Sequence, residues 1–177
     1  MRSLLFVAAA FCVALIATVV AQDSSPVLSA LRADESRYEK NIVAAAQAMP
    51  AAKYSTKPTD EQKAFGELLL HIAGSNTMLC SSISGQQAPA RTQVTAQSGK
   101  EAIVGALKAS FAYCGKVLAT ADDSKLAEQV PFFGGRSVSR AAAVLDLAAD
   151  WGDHYSLIAT EMRLAGVLPP TAQRASR

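Results

Sequence analysis

The sequence predicts an all-α protein, a four-helix bundle. Four segments repeat apolar residues every three or four positions, alanine is abundant inside them, and the seven prolines sit mainly at their boundaries. Half of the residues are hydrophobic and 18% are charged, which excludes a disordered or fibrous chain, and a length of 177 residues suits one domain. A formal charge of +2 without any Lys and Arg run argues against a nucleic-acid surface.

The first helix is expected from Pro26 to Met49, with Ser25 as N-cap and Pro26 in the first turn, where its missing N–H costs nothing. Leu28, Leu31, Tyr38, Ile42, Ala45 and Met49 form its apolar stripe, and Pro50 ends it. Glu35 interrupts that stripe and is read as an edge position reaching water.

The second helix is expected to start at Thr59, because Thr59-Asp60-Glu61-Gln62 supplies a cap, two acids and a capping-box Gln. Phe65, Leu68, Leu69, Ile72, Met78 and Leu79 make its apolar face, with His71 near its middle and Gly85 closing it. The polar stretch Gln86 to Gln97 reads as a loop. The third helix opens on Ser98-Gly99-Lys100-Glu101 and carries Ile103, Leu107, Phe111 or Ser110, Cys114, Val117 and Leu118 to about Thr120.

Ala121 to Ser139 reads as a long connection whose centre, Val130 to Gly135, packs Phe132 and Phe133 on the bundle. The fourth helix is capped by Ser137 or Ser139 and runs to Ala165. Leu147, Asp150, Trp151, His154, Leu157, Ile158 and Met162 mark its inner side, and Gly166 with Pro169-Pro170 stops it.

Ahead of these helices, Arg2, the apolar stretch Leu4 to Val19 and the small-residue ending Val19-Val20-Ala21 read as a secretory signal. Cleavage is expected after Ala21; left uncleaved, the leader would be a membrane anchor just short of a comfortable span. No other stretch is expected to cross a bilayer. The chain thus divides into residues 1–21 as signal peptide, 22–170 as the bundle domain and 171–177 as a flexible tail, in a periplasmic or secreted protein with no membrane attachment after cleavage. In an oxidising compartment Cys80 and Cys114 are either bridged or two buried free thiols. Neither spacing nor a nearby histidine suits a thiolate zinc site.

The two histidines fall on or beside apolar faces, where an imidazole must find a polar partner. Asp150 precedes His154 by one helical turn, so both side chains leave the same face. If the second and fourth helices pack at that level, His71 joins them. Two neutral imidazoles and a carboxylate suit zinc, nickel, manganese or ferrous iron with positions open for water or substrate. Asp146 and Glu67 are candidate acceptors for the ligands' N–H groups.

The runs Leu68-Leu69-Leu70-His71-Ile72-Ala73, Asp150-Trp151-Gly152-Asp153-His154-Tyr155 and Arg163-Leu164-Ala165-Gly166-Val167-Leu168-Pro169-Pro170 resemble the DinB-like superfamily of damage-inducible and thiol-transferase-like proteins. The resemblance covers nearly all of the chain after the leader. It implies an up-down-down-up bundle and a divalent metal on three histidines, of which His71 and His154 match two; Asp150 stands where the third is commonly histidine. It implies a metal-dependent transferase, isomerase or hydrolase acting on an unidentified small molecule, with a non-catalytic binding module as the alternative. It also brings Cys80 and Cys114 to similar heights on parallel helices, and so implies a disulfide. The sequence allows a homodimer through exposed helical faces without deciding for one.

Overall fold

The computed structural model describes residues 24–90 and 93–175; the expected leader lies outside them. Four long helices form the bundle: α1 (Pro26–Ala48), α2 (Phe65–Ser84), α3 (Lys100–Thr120) and α4 (Arg140–Leu164). A hairpin, β1 (Gln129–Pro131) with β2 (Ser137–Ser139), precedes α4, and a short α5 (Pro170–Ala175) follows it.

Each helix begins where its first N–H groups find partners, and three of these partners differ from the local expectation. Helix α1 is capped from across the bundle: the Asp123 carboxylate accepts from the backbone N–H of Val27 and Leu28 (2.8 and 2.9 Å), while Ser25 Oγ accepts from Asp123 N–H. Helix α2 starts six residues later than Thr59. Thr59 to Gln62 closes only a turn, and Glu67 Oε2 reaches back to the N–H of Ala64 at 2.8 Å. The next two N–H groups, of Phe65 and Gly66, donate to the carbonyls of Thr56 and Tyr54. At α3 the reciprocal cap joins Thr95 and Ser98 around a single 3-10 turn, and Gly99, at φ 84°, turns the chain into the helix. For α4 the cap is Ser139, whose hydroxyl accepts from Ala142 N–H at 3.2 Å.

The cross-helix contacts fix the directions. Asn76 bonds Ser110 and Ser81 bonds Tyr113, so α2 and α3 advance in step and are parallel. Cys80 and Cys114 extend that series as a disulfide, with Cα atoms 5.4 Å apart. Arg32, near the start of α1, donates to carbonyls of Leu118 and Ala121 at the end of α3, whereas Lys100 at the start of α3 donates to Gln47 and Met49 at the end of α1. Arg140, first residue of α4, bonds the Ile83 carbonyl at the end of α2. The order is therefore up-down-down-up. Helices α2 and α3 pair, α2 also packs on α4, and α1 packs on α3 and α4.

The core is apolar and continuous, with Ile42, Phe65, Leu69, Ile72, Ile103, Leu107, Phe111, Leu147 and Trp151 fully buried. Burying such side chains is the main stabilising term for the bundle. One polar seam crosses it: the buried Asn76 accepts from Trp151 Nε1 at 2.7 Å and donates to Ser110 Oγ at 3.1 Å. Among the described residues α3 alone has the length and apolarity of a membrane span, contrary to the expectation that none would. Its apolar face meets α1 and α2 instead.

The connection before α4 also departs from expectation. Val130, not the aromatic pair, is the buried anchor of the hairpin; Phe132 is only partly covered, and Phe133 is exposed beside the positive-φ pair Gly134 and Gly135. The segment expected as a flexible tail is helical through Ala175, with Thr171 bonded to the Tyr155 hydroxyl.

Candidate metal centre

The packing of α2 on α4 brings His71 and His154 together, with ring centroids 4.9 Å apart. His154 is buried, at 8% exposure, and faces α2 from the middle of α4. Because α2 starts late, His71 lies in its second turn and is exposed toward a cleft. The segment 59–63, expected as helix, borders that cleft as a turn and loop. The cleft encloses about 310 Å³, and Pro58, Lys63, Leu68, His71, His154 and Glu161 are among its walls.

Asp150, expected as a third ligand, stands behind His154, on the Nδ1 side of its ring. Its Oδ1 is 3.4 Å from His154 Nδ1, and its backbone carbonyl is nearer, at 2.7 Å. Both contacts require the proton of a neutral His154 on Nδ1, which leaves Nε2 as the free donor atom. The bond to the Asp150 side chain is the largest of the causes that raise the His154 pKa, against the opposing effect of burial. The His71 pKa is lowered, first by partial burial, then by the charges of His154 and Lys63, with Asp150 opposing.

Asp150 Oδ2 is buried and has no hydrogen-bond partner among the described residues. A buried carboxylate oxygen left unpaired is costly, and a cation or an ordered water is the usual partner of such an atom. Among the described residues no three His, Cys, Asp or Glu side chains are gathered closely enough to hold a metal as they stand. The two paired imidazoles are nonetheless donors that a divalent ion accepts, and Asp150, on the Nδ1 side of His154, fixes the tautomer that presents one of them.

The two expected outer acceptors have other roles. Glu67 caps α2, because it lies in the first turn where the orphan N–H of Ala64 is within reach, and Asp146 is exposed to solvent. Glu35 is half-buried at the α1–α3 contact rather than open to water, and burial, then Glu39, push its pKa up to about 7. Its Oε1 lies 3.6 Å from where a Cβ on Gly115 would be, an ordinary contact distance that places the carboxyl against α3.

Two ionisable cleft residues escaped the sequence reading, Lys63 and Glu161. Lys63 was assigned to a helix that does not begin until Phe65. Glu161 had a legible signal: it lies two turns after His154, on the face that also presents Asp150. It is 8% exposed, and burial pushes its pKa up to about 7.

The DinB superfamily model matches residues 36–158. Among solved structures, a DinB-like protein of Bacillus cereus shares 14% identity, with a TM-score of 0.68 over 80% of this chain and 95% of that one. The DinB-like protein YjoA of Bacillus subtilis shares 18%, with a TM-score of 0.64 over 77% and 92%. The mycothiol-dependent maleylpyruvate isomerase shares 12%, with a TM-score of 0.59 over 73% of this chain but 59% of its own. No curated protein matches the chain. The family match spans most of the bundle, from the middle of α1 through both histidines, and the solved neighbours repeat its fold: this chain belongs to the DinB superfamily.

Proposed function

We propose that this chain is an exported DinB-like protein that takes a divalent metal at His71 and His154, with Asp150 orienting His154 from its Nδ1 side, and acts on a small molecule in the adjoining cleft. The observation that carries the reading is the imidazole pair at 4.9 Å, with His154 held from its Nδ1 side by Asp150. The mycothiol-dependent isomerase among its structural neighbours supports thiol or carbonyl chemistry as the class of reaction. A divalent ion bound there supplies Lewis acidity, lowering the pKa of bound water or thiol or polarising a carbonyl.

The chain's own contribution is positional. Asp150 holds His154 in the tautomer that offers Nε2, and Leu68 and Leu157 give the cleft its apolar lining. His71, with its pKa lowered, is neutral and able to donate a lone pair at physiological pH. Export is supported by the leader-like first residues and by the Cys80–Cys114 bridge, since disulfides persist in oxidising compartments.

Calorimetric titration with zinc and with nickel tests the metal. We expect one ion per chain, a raised Tm, and loss of binding in His71→Ala and His154→Ala; Asp150→Ala should weaken it by about 10- to 100-fold. Titrations without heat or Tm shift for either metal would leave the second reading, a metal-free binding module. That reading draws its support from the absence, among the described residues, of a ready three-ligand group.

A further inference from the structure

Glu161 has no role in the proposed metal centre, and its environment is unusual for a glutamate. It is more than nine-tenths buried, its carboxyl makes no hydrogen bond or ion pair among the described residues, and it lines the cleft that holds the imidazole pair. Its carboxyl oxygens keep access to the cleft, so a ligand held there can complete their hydrogen bonding. Burial is the cause of its raised pKa, with no neighbouring charge contributing, so near and below neutral pH it holds a proton it can donate.

The cleft has distinct ends. Seven residues of α4 separate His154 from Glu161, about 10 Å at 1.5 Å per residue. At one end are the two imidazoles and Lys63, which lies near enough to His71 to act on its charge; Glu61, which also lines the cleft, does not act on it. Leu68 and Leu157 make the sides. An anionic group suits the imidazole end, with or without a cation there, and an apolar chain suits the middle.

We propose that the Glu161 carboxyl is a ligand-binding group of this cleft, hydrogen-bonded to a carbonyl oxygen of a short-chain organic anion whose charged end lies at His71, His154 and Lys63. A chain of about five to six carbons, with a hydrogen bond at each end, matches the separation along the helix. The proposal rests on the reading of this cleft as a small-molecule site, and does not require the metal.

The probe is 5-oxohexanoate, with hexanoate as the analogue lacking the carbonyl, titrated calorimetrically into the purified protein in chelator and again with one equivalent of zinc. We expect 5-oxohexanoate to bind wild type about tenfold more tightly than hexanoate, Glu161→Gln to keep that preference because an amide also donates, and Glu161→Leu to abolish it. Retention of the native Tm certifies each variant. A preference unchanged in Glu161→Leu, equal affinity for the two probes, or no binding to wild type in either condition would overturn the proposal. Failure of the metal centre would show separately, as a zinc titration without binding beside an intact carbonyl preference.

Discussion

Asn76 shows how a single buried polar residue can set the arrangement around it. Its amide oxygen accepts from the indole N–H of Trp151 on α4, and its amide nitrogen donates to Ser110 on α3, so three helices are held in register by one side chain. Asn76→Ala would leave the indole N–H buried without a partner and open a small void; we expect a loss of about 2–4 kcal/mol. Trp151 is the sole tryptophan, so its fluorescence during urea unfolding measures this loss directly. Gly66 is constrained differently. A Cβ there would lie 3.2 Å from the Tyr54 carbonyl and from Ile103 Cδ1, so Gly66→Ala should destabilise by about 1–3 kcal/mol, read in the same assay. Neither role is visible in the sequence. Asn76 looks like an ordinary polar interruption of an apolar helix, and Gly66 like a weak point in one.

At the scale of elements, the apolar stripes were legible and the helix ends were less so. Leu28, Ile42, Leu69, Ile103, Phe111 and Leu147 all point inward as their spacing predicts, because periodicity reports directly on which face is buried. Caps depend on which partner reaches the N–H groups first. Thr59 offered a good local motif for α2, but the carbonyls of Tyr54 and Thr56 and the carboxylate of Glu67 satisfy the N–H groups from Ala64 onward. This shift moved His71 into the second turn and turned segment 59–63 into a border of the cleft. Glu67→Ala should therefore cost about 1 kcal/mol, seen as a lower Tm, without weakening metal binding. A loss of metal affinity in this variant would restore Glu67 as a partner of His71. For α1 the cap was illegible in principle, since Asp123 lies far along the chain and nothing local to Ser25 indicates it.

For the whole molecule, the family resemblance supplied what periodicity could not, namely that α2 and α3 are parallel and that Cys80 and Cys114 meet. The bundle order explains why two separate carboxyls, Glu35 at the α1–α3 contact and Glu161 beside the cleft, are withdrawn from water; in both, burial is the largest cause of a pKa near 7. A carboxyl whose pKa is raised on folding binds its proton more tightly in the native state than in the unfolded chain. Its contribution to stability is then complete below the unfolded value near 4.5 and is lost as pH rises through about 7. His154, also raised, acts in the same direction above pH 6.5, whereas His71, lowered, opposes it as pH falls below 6.5. With metal removed by chelator, Tm should therefore decline from pH 5 to pH 8. Glu35→Gln and Glu161→Gln, which remove the ionisation while keeping the size, should each flatten that decline, and the double variant should flatten it further because the two sites lie on different helix contacts. Scanning calorimetry across this range checks the sign: a Tm that rises with pH would mean that both carboxyls are ionised in the native bundle and better solvated than their burial implies.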